Sequence, residues 1–196
     1  MIKIGVTGGI GSGKSVVGEI LKLHNIPLFD ADKEAKLLNN SSKIVQRKLI
    51  SHFGSEIYSD GVLNRKKLAE LIFNNEENLK IANAIIHPEL AKSFIYWCNN
   101  QNKSDIVAIE AAILIEAGFL KYIDKLITVY SPEELRIERV MRRDGSSRDE
   151  IIARMKNQIS EEEKLKLSDY VIINDGHHSL IQQVTNVINL IITSKE

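Results

Sequence analysis

The chain has one cysteine, Cys98, in 196 residues, so no disulfide can form within it and a reducing, cytoplasmic setting is expected. It has no excess charge of either sign: 26 Lys and Arg balance 26 Asp and Glu. That balance argues against a generally basic surface that coats nucleic acid, and no nucleic-acid partner is expected. No apolar run approaches the ~18 residues of a transmembrane helix, so no membrane partner is expected either. The start, Met1-Ile2-Lys3-Ile4-Gly5, lacks the apolar core and cleavage site of a signal peptide. There is no internal repeat, no low-complexity segment, and no His/Cys group at metal-ligand spacing that would suggest zinc. What remains is 43% hydrophobic and 27% charged, an ordinary globular composition whose length suits one core, with or without inserted subdomains.

Periodicity places short strands at Ile2–Thr7, Ile26–Asp30, Asp105–Glu110, Lys125–Tyr130 and Tyr170–Asn174. A helix is expected over Ser15–His24, and another over Lys33–Asn39 with Asp32 at its start. From there to about Asn100 only helices are expected. Asn64 caps Arg65–Phe73, and Pro88 opens a helix to about Asn99. Three Ser-x-x-Glu boxes, Ser131…Glu134 (with Pro132 as the first helical residue), Ser147…Glu150 and Ser160…Glu163, predict three short helices in succession. A last helix carries Leu180, Ile181, Val184, Val187, Ile188, Ile191 and Ile192 as its apolar face. Alternating strand and helix means α/β, with a five-stranded, mainly parallel sheet interrupted by helical stretches near 33–100 and 131–167.

Gly8-Gly9-Ile10-Gly11-Ser12-Gly13-Lys14-Ser15 matches G-x-x-x-x-G-K-[ST], with a strand before it and a helix after it. The glycines let backbone amides close around phosphate, and the following helix adds its positive end. Lys14 is expected at the β- and γ-phosphates, and the Ser15 hydroxyl on Mg²⁺. Asn102-Lys103-Ser104-Asp105 matches the guanine-reading N-K-x-D of GTPases. It precedes a strand instead of following one, and the chain has no D-x-x-G triplet, so ATP is the expected nucleotide.

A phosphoryl-transfer kinase needs an acid beside the acceptor hydroxyl, in the crevice beyond the carboxyl ends of the strands. Asp30 and Asp32 follow the second strand, and Asp32 is the better base, with a plain helix cap as its alternative. Glu110, at the end of the third strand, suits Mg²⁺ through water, with Glu116 as an alternative. Six of the eight arginines fall between 136 and 154: Arg136, Arg139, Arg142, Arg143, Arg148 and Arg154. Arg139 and Arg143 share a helix face, with Arg136 close to it, and suit a closing, arginine-bearing hairpin over ATP as well as a solvated surface. His87 reads as structural or substrate-adjacent; Trp97 and Cys98 read as packing residues.

The chain resembles the dephospho-coenzyme A kinase family. The resemblance is carried by Thr7 to Ser15, Asp30-Ala31-Asp32, His52-Phe53-Gly54, Gly61-Val62-Leu63-Asn64-Arg65, Leu68, Ile72-Phe73 and Ile86-His87-Pro88. It continues through Leu114-Ile115-Glu116, Arg139, Arg143, Gln158 and Asp169 to Asn174. It implies a P-loop kinase-like three-layer fold with a core at 1–31, 101–130 and 169–196, a helical acceptor domain at 32–100 and a lid at 131–168. It also implies ATP-dependent phosphorylation of the ribose 3′-hydroxyl of dephospho-CoA, the last step of coenzyme A synthesis, with no obligate protein partner. Asp32 inherits the base role beside Lys14 and Arg139. Nucleotide contacts fall to Gly9, Gly11, Ser12, Gly13, Lys14, Ser15, Val16, Arg139, Arg143 and Asn174, the last near adenine. Mg²⁺ falls to Ser15 and Glu110. Two positions depart from the family pattern: Val16 stands where threonine is usual, and Glu110-Ala111-Ala112-Ile113 lacks a usual proline. The other readings of the residues are a P-loop kinase of another nucleoside or small metabolite, and a nucleotide-dependent switch.

Overall fold

The computed structural model describes residues 1–72 and 75–194. In chain order it begins β1 (Ile2–Thr7), α1 (Lys14–Leu23) and β2 (Leu28–Asp30). A helical stretch follows: α2 (Ala31–Ser41), α3 (Lys43–Phe53), strands β3 (Tyr58–Ser59) and β4 (Val62–Leu63), α4 (Arg65–Ile72) and α5 (Glu76–Asn99). Then come β5 (Ile106–Glu110), β6 (Lys125–Tyr130), α6 (Glu133–Asp144), α7 (Arg148–Lys156), α8 (Glu161–Leu167), β7 (Tyr170–Ile173) and α9 (Leu180–Thr193). Residues 1–29 and 101–196 form one compact unit, and 30–100 a second.

The first unit is built on a sheet of order β2-β5-β1-β6-β7. β1 runs parallel to β5 (Ile4 beside Ala108) and to β6 (Ile4 beside Lys125), and β6 runs parallel to β7. Alternation along the strands gives each face its own core. Ile4, Val6, Ile127, Val129 and Ile172 pack with Val17, Ile20 and Leu21 of α1 and with Val184, Val187, Ile188 and Ile191 of α9. On the other face Gly5 leaves room for Leu114 and Ile123, whose side chains a Cβ would meet. Both faces are therefore covered, as parallel strands require. Ile181 and Ile192 are exposed, so the buried stripe of α9 is narrower than its apolar residues suggest.

The second unit has its own core: Val45, Leu49 and Phe53 of α3, Ile57, Leu63, Leu68, and Ala82 and Ile85 of α5. Here three expectations fail. A β3–β4 hairpin stands where only helices were expected; its turn is Asp60-Gly61, both at positive φ (51° and 78°), the pairing that two-residue hairpins favour. Pro88 lies inside the 24-residue α5 instead of opening a helix. Buried side chains on both sides of it (Ala82, Ile85, Leu90, Ala91, Phe94) hold the helix through the missing N–H. The start of α2 is capped by Asp30, whose side chain accepts from Lys33 N at 2.8 Å, so Asp32 sits inside the first turn. Asn64 does cap α4, accepting from Lys67 N at 3.1 Å. The helix is described to Ile72; its expected last residue, Phe73, lies outside the described residues.

Pro88 is exposed, so its ring contributes little burial. Pro88→Ala restores an interior helical hydrogen bond, and is expected to raise the unfolding midpoint by an amount worth ~1–3 kcal/mol. Thermal unfolding of the two chains checks this, and a lower midpoint contradicts it.

Candidate active site

β1 delivers the chain to the glycine loop at the carboxyl end of the sheet's central strand, and α1 begins at Lys14. Gly13 sits at the N-cap of α1 with φ 92° and no side-chain cap, and α1 has no acidic residue in its first turn. The helix therefore turns its amino end and positive dipole toward an anion. A Cβ on Gly13 would overlap the Asn174 side-chain amide, so glycine is required there for space as well as for torsion.

Asn174, just beyond β7, ties the loop to Ser131 and α6. Its Nδ2 donates to the Ser12 carbonyl at 2.7 Å. Its backbone carbonyl accepts from the Ser131 hydroxyl (2.6 Å) and from Arg139 Nη1 (3.2 Å), and Arg139 Nη2 donates to its Oδ1 at 3.2 Å. Arg139 Nη1 also donates to Ser131 Oγ at 3.0 Å. Arg139 is thus half-buried in a network, not an exposed residue of an open flap. The same network corrects one capping box. Ser131 is buried and bonded to Asn174, and α6 starts instead after Pro132 with no side-chain cap. The boxes at Ser147 and Ser160 are both formed.

Lys14 is largely buried, and its Nζ donates to the carbonyls of Gly8 (2.9 Å) and Gly9 (3.2 Å). The Ser12 hydroxyl is buried with no hydrogen-bond partner among the described residues. The Ser15 hydroxyl donates to Glu110 Oε1 at 2.9 Å. That pairs a hydroxyl with a carboxylate at the end of β5, an all-oxygen donor set that suits Mg²⁺. Glu116, the alternative acid, accepts from Ile159 N at 3.0 Å. Val16 is exposed in the first turn of α1.

The remaining arginines divide by partner. Arg143, mostly exposed, pairs with Asp144 at 2.7 Å, and Arg154 reaches the same carboxylate at 3.4 Å. Hydrogen bonds and charge from Arg143, then Arg154, hold the Asp144 carboxyl down to about 2. Arg148 makes a two-pronged pair with Glu134, at 2.8 and 2.6 Å. Arg136 goes inward. It is buried, its Nη1 lies 3.5 Å from Glu161 Oε1, and a Cβ on Gly9 would overlap its guanidinium. Its backbone carbonyl and Val140 fill the space that a Cβ on Gly11 would need. Sequence reasoning put Arg136 in the cluster without separating it from Arg139, and did not single out Glu161 at all.

Gln158, one of the residues that carry the resemblance, bridges two segments. Its Oε1 accepts from Ile10 N at 3.0 Å and its Nε2 donates to the Ala112 carbonyl at 3.0 Å, joining the glycine loop to the segment after β5. Asp32 and His87 belong to the second unit. There, burial lowers the His87 imidazole below its usual value.

Comparison with known proteins agrees with this geometry. The family model described as Dephospho-CoA kinase matches residues 2–179. A dephospho-CoA kinase of Porphyromonas gingivalis is 43% identical over 196 residues, covering 100% of this chain and 96% of that protein. A solved structure from Thermus thermophilus superposes with a TM-score of 0.85 at 32% identity, covering 96% of each chain. The dephospho-CoA kinase from Campylobacter jejuni superposes at 0.71 with 29% identity, covering 99% of this chain and 98% of that one. The chain is an α/β P-loop kinase, and it belongs to the dephospho-CoA kinase family.

Proposed function

We propose that this chain carries out its family's reaction, moving the terminal phosphoryl group of ATP to the ribose 3′-hydroxyl of dephospho-CoA, with Asp32 as the acceptor-side base and Mg²⁺ held by Ser15 and Glu110. The observation that carries the nucleotide half is the glycine loop with Gly13 at φ 92° and an acid-free helix start behind it. Family membership carries the acceptor.

The roles follow from the contacts. The loop from Gly9 to Ser15 binds the phosphates through the amides of Gly11, Gly13 and Ser15 and the Ser12 hydroxyl, with Val16 in the helix end behind it. The N–H groups of Ile10, Ser12 and Val16 are taken by Gln158, Gly9 and Gly13. Lys14, now on the carbonyls of Gly8 and Gly9, turns to the β- and γ-phosphates. Arg139 and Asn174 border the loop at Ser12, where a nucleotide's base and phosphates would meet the lid segment. The metal, when bound, neutralises charge on the transferring phosphoryl group. Asp32 takes or orients the proton of the attacking hydroxyl. Residues 1–31, 101–130 and 169–196 act as nucleotide core, 32–100 as acceptor domain and 131–168 as lid. No helix among the described residues is long and apolar enough to cross a membrane.

Variant kinetics and the identity of the product test these roles. Lys14→Ala should cut turnover far beyond threefold, since threefold is only ~0.7 kcal/mol of barrier; steady-state rates with saturating ATP measure it. Asp32→Asn should lower kcat by about 10²–10⁴-fold with ATP binding nearly unchanged. The product, identified by mass and fragmentation, should carry the new phosphate on the ribose 3′-oxygen; phosphate elsewhere contradicts the acceptor assignment. Arg139→Ala should reduce kcat/KM for ATP by about tenfold or more, as loss of charge-assisted hydrogen bonds does. Arg143→Ala should cost less, because Arg143 is exposed and occupied by Asp144.

A further inference from the structure

Arg136, Glu161 and Lys164 form a cluster that the roles above leave unused. Glu161 Oε1 is 3.5 Å from Arg136 Nη1 and 3.3 Å from Lys164 Nζ. The side chains are 5% (Arg136), 20% (Glu161) and 0% (Lys164) exposed. Two buried cations therefore share one carboxylate oxygen. Meanwhile Arg136 Nε and Glu161 Oε2 are buried with no hydrogen-bond partner among the described residues. The contacts are long for charge-assisted bonds, which run to ~2.7–2.9 Å. A cluster serving only to hold helices together would be expected to close like Arg148–Glu134, two-pronged at 2.8 and 2.6 Å.

The position of the cluster supplies the reason. A Cβ on Gly9 would overlap both Arg136 Nη1 and Glu161 Oε1, so the pair rests directly on the glycine loop. Lys14 Nζ sits on the carbonyls of Gly8 and Gly9. Lys14 and Arg136 thus meet at the first two glycines, and Glu161 joins Arg136 to a third cation, Lys164.

We propose that Glu161 is a built-in counter-ion for this end of the loop, standing in for nucleotide phosphate and setting how tightly polyphosphate is held. The inference rests on the nucleotide reading under Proposed function. Without phosphate, Glu161 offsets part of the charge of Arg136 and Lys164. With phosphate bound, a carboxylate in the same poorly solvated corner repels it. The charge of Glu161 therefore stabilises the empty site, weakens ATP and ADP binding, and favours release of ADP. Arg136 acts in the opposite direction, as a positioning residue that draws polyphosphate toward Gly9.

The test is calorimetric titration of the full chain with ADP and with ATP, without acceptor, at low and high salt. Glu161→Gln keeps the size and an acceptor for Arg136 but removes the charge. It should tighten both nucleotides by about three- to tenfold, with the gain shrinking as salt rises. It should also lower the melting midpoint of the free protein while leaving that of the ADP-saturated protein close to wild type. Arg136→Met keeps an aliphatic stem and should weaken both nucleotides by about threefold or more. Adding Glu161→Gln to Arg136→Met should tighten binding again, and this comparison serves if the single glutamine variant does not fold. Unchanged or weaker binding on loss of the Glu161 charge, in a protein whose wild type binds ADP, overturns this inference alone. A wild type that binds neither nucleotide overturns the nucleotide reading with it.

Discussion

The hydrogen bond from Asn174 Nδ2 to the Ser12 carbonyl is the contact on which the geometry of the nucleotide end depends. A glycine loop has few side chains with which to hold its own shape, so its conformation must be imposed from outside. Asn174 does this from the end of β7, and it is itself held by Ser131 and Arg139. One side chain thus links the loop after β1, the end of β7 and the start of α6. The requirement runs back into the sequence: residue 13 must be glycine because the amide fills the place of a Cβ. Ser131 does not cap α6: its hydroxyl is turned to the Asn174 carbonyl and accepts from Arg139 Nη1 in place of a helix N–H.

Arginine serves several purposes in α6 and α7, and the partner decides which. Arg143 pairs with its neighbour Asp144 within α6, while Arg148 and Arg154 of α7 meet Glu134 and Asp144 of α6 near the surface and hold the two helices together. Exposed pairs of this kind contribute little individually. Arg139 meets neutral oxygens of Ser131 and Asn174, which leaves its charge uncompensated by those contacts and available to an anion. Arg136 shares a carboxylate with a second buried cation. Charge near the glycine loop is therefore left under-neutralised, while charge far from it is paired.

The chain just after α7 is also tied to the sheet unit. Gln158 spends its acceptor on Ile10 N and its donor on the Ala112 carbonyl, and Ile159 N donates to Glu116. An amide side chain is suited to this place because it offers one acceptor and one donor to two backbone groups of opposite kind.

Local patterns in the sequence determined the parallel α/β sheet, the glycine loop with its lysine and serine, the caps at Asn64, Ser147 and Ser160, and the family. Each of these rests on residues within a few positions of one another, or on a motif with a strict spacing. What the sequence did not disclose was settled by contacts between distant segments. Ser131 had the pattern of a helix cap, but a carbonyl 43 residues away takes its hydroxyl. Pro88 had the look of a helix start, but packing on both sides carries the helix through it. Arg136 and Arg139 lie one turn apart in a run of arginines, and only the docking of α6 against the glycine loop sends one to Gly9 and the other to Asn174. Propensity and spacing act over a turn of helix, whereas the choice among partners for a buried polar group is made by whichever segment tertiary packing brings within about 3 Å.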